Sequence, residues 1–384
     1  MKINICTSCD NNFIEYLYTF TLSLITNISD DNIINLYILD GNIEEKNKLI
    51  IEKIVHNTKH KIIFIKPNIE KYNNWFDKII INKEYYSPAV FYRLEIPSLI
   101  PNVDKVLYLD CDIIVNKDIS DLYNIDIDNY YICAIEEEGR AAKTRKKIFN
   151  LDHYFSSGVM LINNKMWINN GVKEDFETFF NLNYNKIMTV DQDIINCVFK
   201  DKIKSLDKKF NYYPFNETQN DIPSENLYII HYSSYLAKPL NENIKINWYL
   251  EEFWKYFCLT PWFQENPAEY INIMINQKIN IALEKRNYDL SLNQLNDKNI
   301  KNSNKLELLE KEIINKSEAL EKQIQNIINK LVWFIPIKSV RNKIRNDILR
   351  PDQTRPLICK EYIYINNITI KNKLQPMPHY KNAA

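Results

Sequence analysis

Val106-Leu-Tyr-Leu-Asp110-Cys-Asp112-Ile-Ile-Val115 reads as a very apolar strand, residues 105–109, that runs straight into two carboxylates. Such a strand delivers its last residues to the C-terminal edge of a sheet, the edge where α/β proteins bind ligands. Residues two apart on an extended chain point to the same side, so Asp110 and Asp112 together suit one hard divalent cation. The plainer alternative is a strand end that happens to be acidic.

Outward from this stretch the chain alternates short β-type runs with helical patterns, the signature of a layered α/β domain. Residues 2–7 read as the first strand, and 13–25 as a helix with Ile14, Leu17, Phe20 and Leu24 at helical spacing. Residues 35–39 and 61–65 read as strands, with a helix over 43–55 between them and another over 89–99. On the far side, 131–136 and 158–162 read as strands, 190–199 as a helix, and 227–231 as a late strand ending in His231. From about Pro267 the composition turns strongly helical, and Leu306, Ile313, Leu320 and Ile327 recur at heptad spacing, the pattern of an amphipathic helix or short coiled coil.

Composition narrows the chemistry. Of 384 residues, 45% are hydrophobic and 26% charged, enough for a packed core, and the 49 basic and 49 acidic residues balance. That balance gives no global argument for nucleic-acid binding, and none is expected. The four glycines, Gly41, Gly139, Gly158 and Gly171, have neither dinucleotide-fingerprint nor P-loop spacing, so any bound nucleotide needs a metal and side chains for its phosphates. Seven cysteines at irregular spacing point to a reducing compartment; Cys6 and Cys9 form a CxxC without a second CxxC or a nearby histidine, and read as two small residues at a strand end. The N-terminus lacks a signal-peptide core, and no run reaches the ~18–20 apolar residues of a membrane span.

The motifs, in order, are Cys9-Asp-Asn-Asn-Phe-Ile-Glu-Tyr-Leu17, Phe91-Tyr-Arg-Leu94, Asp104-Lys-Val-Leu-Tyr-Leu-Asp-Cys-Asp112, Phe155-Ser-Ser-Gly-Val-Met-Leu-Ile-Asn163, Asp191-Gln-Asp-Ile-Ile-Asn196 and His231-Tyr followed by Lys238-Pro239. This order resembles glycosyltransferase family 8, which contains bacterial lipooligosaccharide galactosyl- and glucosyltransferases and glycogenin. The resemblance covers about the first two thirds of the chain. It implies a GT-A type (Rossmann-like nucleotide-diphospho-sugar transferase) domain and a retaining transfer from a UDP-sugar to a glycan or glycolipid acceptor. Asp-x-Asp also resembles the first motif of haloacid-dehalogenase phosphatases, whose nucleophilic Asp lies nearer the start of the core and is usually followed, four residues on, by Thr or Val rather than Ile114.

Carried over by position, the family resemblance implies that Asp110, Asp112 and His231 ligate Mn²⁺, with Mg²⁺ the alternative ion, and that Lys238 grips the donor diphosphate. Asp10, Asn12 and Phe13 match the loop that reads uracil and ribose. Arg93 matches the arginine near the donor phosphate and sugar, and Cys111, Ser156 and Ser157 fall in donor-binding motifs. Asp191 and Gln192 match residues beneath the anomeric carbon; double displacement and front-face attack both stay open. Plainer roles exist: His231 as a core histidine, Asp191 and Asp193 as first-turn acids of a helix, Arg93 as a surface cation. The chain also departs from the family pattern. Ser156 stands where asparagine is common, Ser234 replaces a glycine, the His231–Lys238 loop is one residue longer, and Leu240 follows Pro239 where tryptophan is usual.

The remaining sequence divides, by this reading, into a catalytic domain 1–260, a helical extension 261–332 able to self-associate, a basic amphipathic segment 333–350 and a tail 351–384. Between Lys330 and Arg350 there are six basic residues and one acid, and Ile337, Val340, Ile344 and Ile348 share a helical face. That is the pattern of an interfacial helix on anionic lipid, which places the expected enzyme in the cytoplasm, peripheral on the inner face of the membrane. A catalytically degenerate transferase fold acting as a scaffold is the alternative from outside the enzyme class.

Overall fold

The computed structural model describes residues 1–280 apart from 82, 84–85, 215–223, 234–237, 243, 245–247 and 266. Nine strands are described: β1 (Lys2–Cys9), β2 (Ile33–Asp40), β3 (Lys61–Ile65), β4 (Lys105–Leu109), β5 (Ile113–Val115), β6 (Ile132–Ala134), β7 (Val159–Asn163), β8 (Ile203–Ser205) and β9 (Ile229–His231). Seven form one sheet in the order β3-β2-β1-β4-β7-β6-β8. The first four run parallel, β7 runs antiparallel to both of its neighbours, and β6 and β8 are parallel to one another. This is the expected α/β, GT-A type sheet.

The order reverses between β1 and β4, which pair through Ile5 with Leu107 and Cys6 with Tyr108. A crevice opens beyond the carboxyl ends of two strands at such a reversal, and here those ends carry Asp10 and Asp110. The four residues Val106–Leu109 are fully buried, and they alternate between two layers. Leu107 and Leu109 join Leu17, Phe20 and Leu24 of the helix Ile14–Asn27, whereas Val106 and Tyr108 join Tyr72, Phe176 and Ile194 from helices on the other face. A strand covered on both sides has no solvent face, which is why its sequence is a continuous apolar run.

Several local readings change. Residues 88–99 form a 3₁₀ helix, Pro88–Glu95, followed by one short α turn, Ile96–Leu99, with Pro97 at its start. The segment is buried on nearly every side, Arg93 included, so helical spacing of apolar residues misdescribed it. Arg93 is therefore no surface cation. The residues after Asp112 form a separate strand, β5, whose antiparallel partner is β9, with Ile113 opposite His231.

Packing also continues past residue 260. Pro261–Glu265 and residues 267–280 are helical, Tyr270 stacks edge-on to Phe257 at 4.8 Å, and its hydroxyl donates to Glu15 at 3.1 Å. The compact unit accordingly runs from Met1 to Leu290, with Ser291–Ala384 a second unit. The heptad stretch, the basic segment 333–350 and the tail lie outside the described residues. No helix among the described residues is long and apolar enough to cross a membrane.

Candidate active site

Three backbone arrangements bring the acidic motif and the histidine together. The amide of Asp110 donates to Gly158 O at 2.8 Å, Tyr232 N donates to Asp112 O at 3.0 Å, and β9 pairs with β5. The result places one ligand atom each from Asp110, Asp112 and His231 within 4.8 Å of one another. His231 Nε2 lies 3.2 Å from Asp112 Oδ1 and 3.7 Å from Asp110 Oδ2.

The other ring nitrogen, Nδ1, is 2.9 Å from Asn211 Oδ1. Asn211 Nδ2 donates to Ser156 Oγ at 3.2 Å and faces the Tyr213 hydroxyl at 3.1 Å, so its oxygen is the side turned to the histidine. Asn211 thus fixes the ring so that Nε2 faces the two carboxylates, the arrangement that orients a metal-ligating imidazole. A Cβ added at Gly158 would stand 2.3 Å from His231 Cε1 and 2.7 Å from Asp110 Oδ2, so only glycine leaves this space clear. Two carboxylates and an oriented imidazole are a donor set that fits a divalent ion.

Cations flank the cluster. Lys238 pairs with Asp112 and lies over the rings of Phe13, at 5.2 Å, and Tyr16, at 5.6 Å. Burial raises the Asp112 carboxyl, but Lys238 and His231 outweigh it and hold the group well below the usual carboxylate range. Arg93, 4% exposed, donates from Nη2 to Asp110 Oδ1 at 2.7 Å and from Nη1 to Ser157 O at 2.6 Å, with its guanidinium 4.3 Å above the Tyr108 ring. The Tyr108 hydroxyl adds a second hydrogen bond to Asp110 Oδ1, at 3.1 Å.

Arg93 Nε also lies 3.2 Å from Asp191 Oδ2, at ion-pair distance but out of line for a hydrogen bond, and that buried oxygen has no hydrogen-bond donor among the described residues. Burial pushes Asp191 up to about 6 against the pull of Arg93 and a hydrogen bond with Ser157. Gln192 Oε1 accepts from Ser157 N at 3.1 Å, and its side chain hydrogen-bonds Glu137.

The backbone just before these residues is strained. Val190, β-branched, has φ of +42°, a conformation costing on the order of 1–3 kcal/mol. Asp193 holds it there: its carboxylate accepts from Met188 N at 2.9 Å, Thr189 N at 3.1 Å and the Tyr154 hydroxyl at 2.7 Å. Arg145 neutralises it through Nε at 2.9 Å and Nη2 at 2.6 Å.

The expected donor loop sits at the end of β1. Asp10 Oδ1 accepts from Asn12 N at 2.9 Å and caps the turn Asn11–Phe13, leaving Asn12 exposed. Cys111 departs from the cluster: its side chain packs in the core beside Cys9. Ser156 is buried, 2.5 Å from the Tyr213 hydroxyl, and the amide of Asn211 stands beside it. Asn211, Tyr213, Glu137 and Gly158 were not singled out as site residues in the sequence. Glu137 sits in a run of three glutamates that looks like a solvated face, and only the bridge of Glu136 to Phe155 turns it inward.

A family model described as Glycosyl transferase family 8 matches residues 4–243. General stress protein A of Bacillus subtilis is 27% identical over 277 residues, covering 68% of this chain and 94% of that protein. A putative glycosyltransferase of Haemophilus influenzae is 34% identical over 217 residues, covering 55% of this chain and 64% of its own length. Among solved structures, the galactosyltransferase LgtC in complex with donor and acceptor sugar analogs superposes with a TM-score of 0.57. That match has 23% identity, covers 67% of this chain and 96% of LgtC, and speaks for the fold.

Proposed function

The chain belongs to glycosyltransferase family 8 and is a glycosyltransferase; we propose that it transfers a hexose, galactose or glucose, from a UDP-sugar to a cell-surface glycan of the lipooligosaccharide type with retention of configuration. The observation that carries this reading is the convergence of Asp110, Asp112 and His231 at the switch point of the sheet, with Lys238 and Arg93 beside them.

A divalent ion held by Asp110, Asp112 and His231 would offset charge on the departing diphosphate. Every other part of the mechanism is carried by side chains. Lys238 supplies a second cation on a long stem and exchanges its Asp112 partner for a diphosphate oxygen when the donor arrives. Asp10, Asn12 and Phe13 line the end of β1 for the uridine. Arg93 is anchored by Asp110, the Ser157 and Val90 carbonyls and the Tyr108 ring, and serves as a fixed positive charge rather than a mobile one, so it costs no reorganisation during transfer. The undonated Oδ2 of Asp191 suits a hydroxyl of the donor sugar, and Gln192, held between Ser157 N and Glu137, is fixed beside it. Ser156 and Ser157 shape the same wall.

The rival phosphatase reading falls with family membership. It also needs a free nucleophilic Asp110, whereas Asp110 is tied to Arg93 and Tyr108. The scaffold alternative predicts no turnover. We extend the proposal to the whole chain: catalytic residues within 1–260, a self-associating extension, and residues 333–350 as a membrane-surface anchor for a glycolipid acceptor. The test is turnover of UDP-galactose and UDP-glucose with Mn²⁺ or EDTA, with NMR of the product's anomeric proton. An α-glycoside formed only with the ion supports the reading; a β-glycoside, or equal rates in EDTA, rejects it.

A further inference from the structure

Residues 267–280 lie beyond the segment matched by the family model, yet their helix reaches the turn that carries Lys238. Lys238-Pro-Leu-Asn241 is closed by one backbone hydrogen bond, Asn241 N to Lys238 O at 2.9 Å, with proline at the second position, where its fixed φ suits the turn. Gln277, fully buried, donates from Nε2 to Pro239 O at 2.6 Å and to Asn241 O at 2.9 Å, using both hydrogens of one amide. Trp254 Nε1–H, which can only donate, bonds Gln277 Oε1 at 3.1 Å and so fixes which way the amide faces. Two further bonds join the helix to the next residue: Asn276 to Glu242 Oε2 at 3.0 Å and Asn280 to Glu242 O at 3.1 Å.

We infer that Gln277 is a positioning residue that sets the Lys238 turn at the height from which its ammonium reaches the donor diphosphate. Part of the donor grip thus comes from a helix outside the matched segment. The inference rests on the reading of Lys238 as a diphosphate ligand. Its physical basis is twofold. A buried glutamine is costly unless its amide is satisfied, and this one is satisfied on the turn carbonyls. Without it the buried Pro239 carbonyl loses this donor and Asn241 O keeps Ile244 N, so the turn shifts to satisfy Pro239. A lysine stem has enough freedom that its reach is decided by where its Cα is held.

The experiment measures UDP affinity in the presence of Mn²⁺ for wild type, Gln277→Met, Lys238→Met and the double variant. Loss of an outer partner of this kind weakens binding by about tenfold or more, which is the fall expected for Gln277→Met. Because Gln277 acts through Lys238, the double variant should bind no more weakly than Lys238→Met alone. Gln277→Glu, equal in shape but facing two carbonyls with carboxylate oxygens, should be at least as impaired as Gln277→Met; wild-type affinity there would mean that only volume matters and would overturn the inference. Should Gln277→Met fail to fold, Trp254→Phe frees the amide to rotate and should show a smaller loss that also vanishes without Lys238. Wild-type affinity in Gln277→Met, or a full tenfold further loss in the double variant, overturns the inference while Lys238 keeps its role. Undiminished affinity in Lys238→Met removes the underlying reading itself.

Discussion

The ammonium of Lys238 pairs with the same Asp112 carboxylate whose other oxygen lies 3.2 Å from His231 Nε2. A side-chain cation therefore sits on one of the three groups proposed to hold the metal. On that proposal the two cations would compete for Asp112 until a diphosphate took the lysine away. Lys238→Met should bind Mn²⁺ severalfold more tightly than wild type when no nucleotide is present, and UDP less tightly when the metal is saturating. Electron paramagnetic resonance of free Mn²⁺ reads the first directly. Equal Mn²⁺ affinity in the two proteins would mean that the lysine does not occupy the metal's place.

Gly158→Ala should abolish transfer. The added methyl meets His231 Cε1 and Asp110 Oδ2, and neither can retreat easily, because Asn211 holds the imidazole and Arg93 holds the carboxylate. Overpacking of this kind costs roughly 1–3 kcal/mol, so the variant should fold with a lowered melting temperature and bind Mn²⁺ at least tenfold more weakly. Calorimetry with the metal alone checks this; wild-type metal affinity would place the ion elsewhere.

Asp191 gives the protein a pH dependence of defined sign. Its carboxyl in the folded state, at about 6, lies above the ordinary 3.8, so between those values the folded protein keeps a proton that the unfolded chain has lost. The stability linked to this proton is fully present below the ordinary value and is lost as pH rises through about 6. Asp191→Asn keeps the neutral shape at every pH. Its melting temperature should therefore gain on wild type as pH is raised from 4 to 7. A difference that stays flat over that range would show that Asp191 is ionised throughout. Transfer by wild type should show an acidic limb near the same pH if the sugar needs the charged form.

Residues 334–350 supply a test of membrane association by the full chain. Replacing Lys338, Arg341, Lys343 and Arg345 with glutamate reverses the local charge while keeping Ile337, Val340, Ile344 and Ile348. Each cation near an anionic surface contributes on the order of 1 kcal/mol, so wild type should co-sediment with phosphatidylserine vesicles at low salt and dissociate as salt rises. The charge-reversed protein should stay in solution yet keep its activity on a soluble acceptor. Co-sedimentation equal to wild type would move the anchor elsewhere.

The sequence was most legible where burial leaves a strong signature. Lys105–Leu109 is covered on both faces, so its apolar run marked the central strand. Asp110 and Asp112 do meet at one cluster, although Cys111 and Asp112 bend away rather than continue the extended strand whose period of two suggested it. It was least legible where a role depends on partners distant in sequence. Asp193 looks like any first-turn acid until Arg145 and the strained Val190 are beside it. Glu137 reads as surface charge, and Asn211 gains meaning only through the ring of His231. Gln277 lies in a stretch whose composition announced only a helix.

The pairing of β5 with β9 also fixes an order of events during synthesis. Asp110 and Asp112 leave the ribosome well before His231, and everything from Ile132 to Phe199 is made between them. The nascent chain can already form β1 to β4 as a parallel sheet, but it cannot close the three-ligand cluster until its last described strand docks. Contacts so far apart in the chain are slow to form, because the intervening loop must be organised first. Capture of a metal by this cluster would therefore be a late folding event, and Mn²⁺ uptake by refolding protein should lag the return of helical circular dichroism. The ion would seal a finished domain rather than nucleate it.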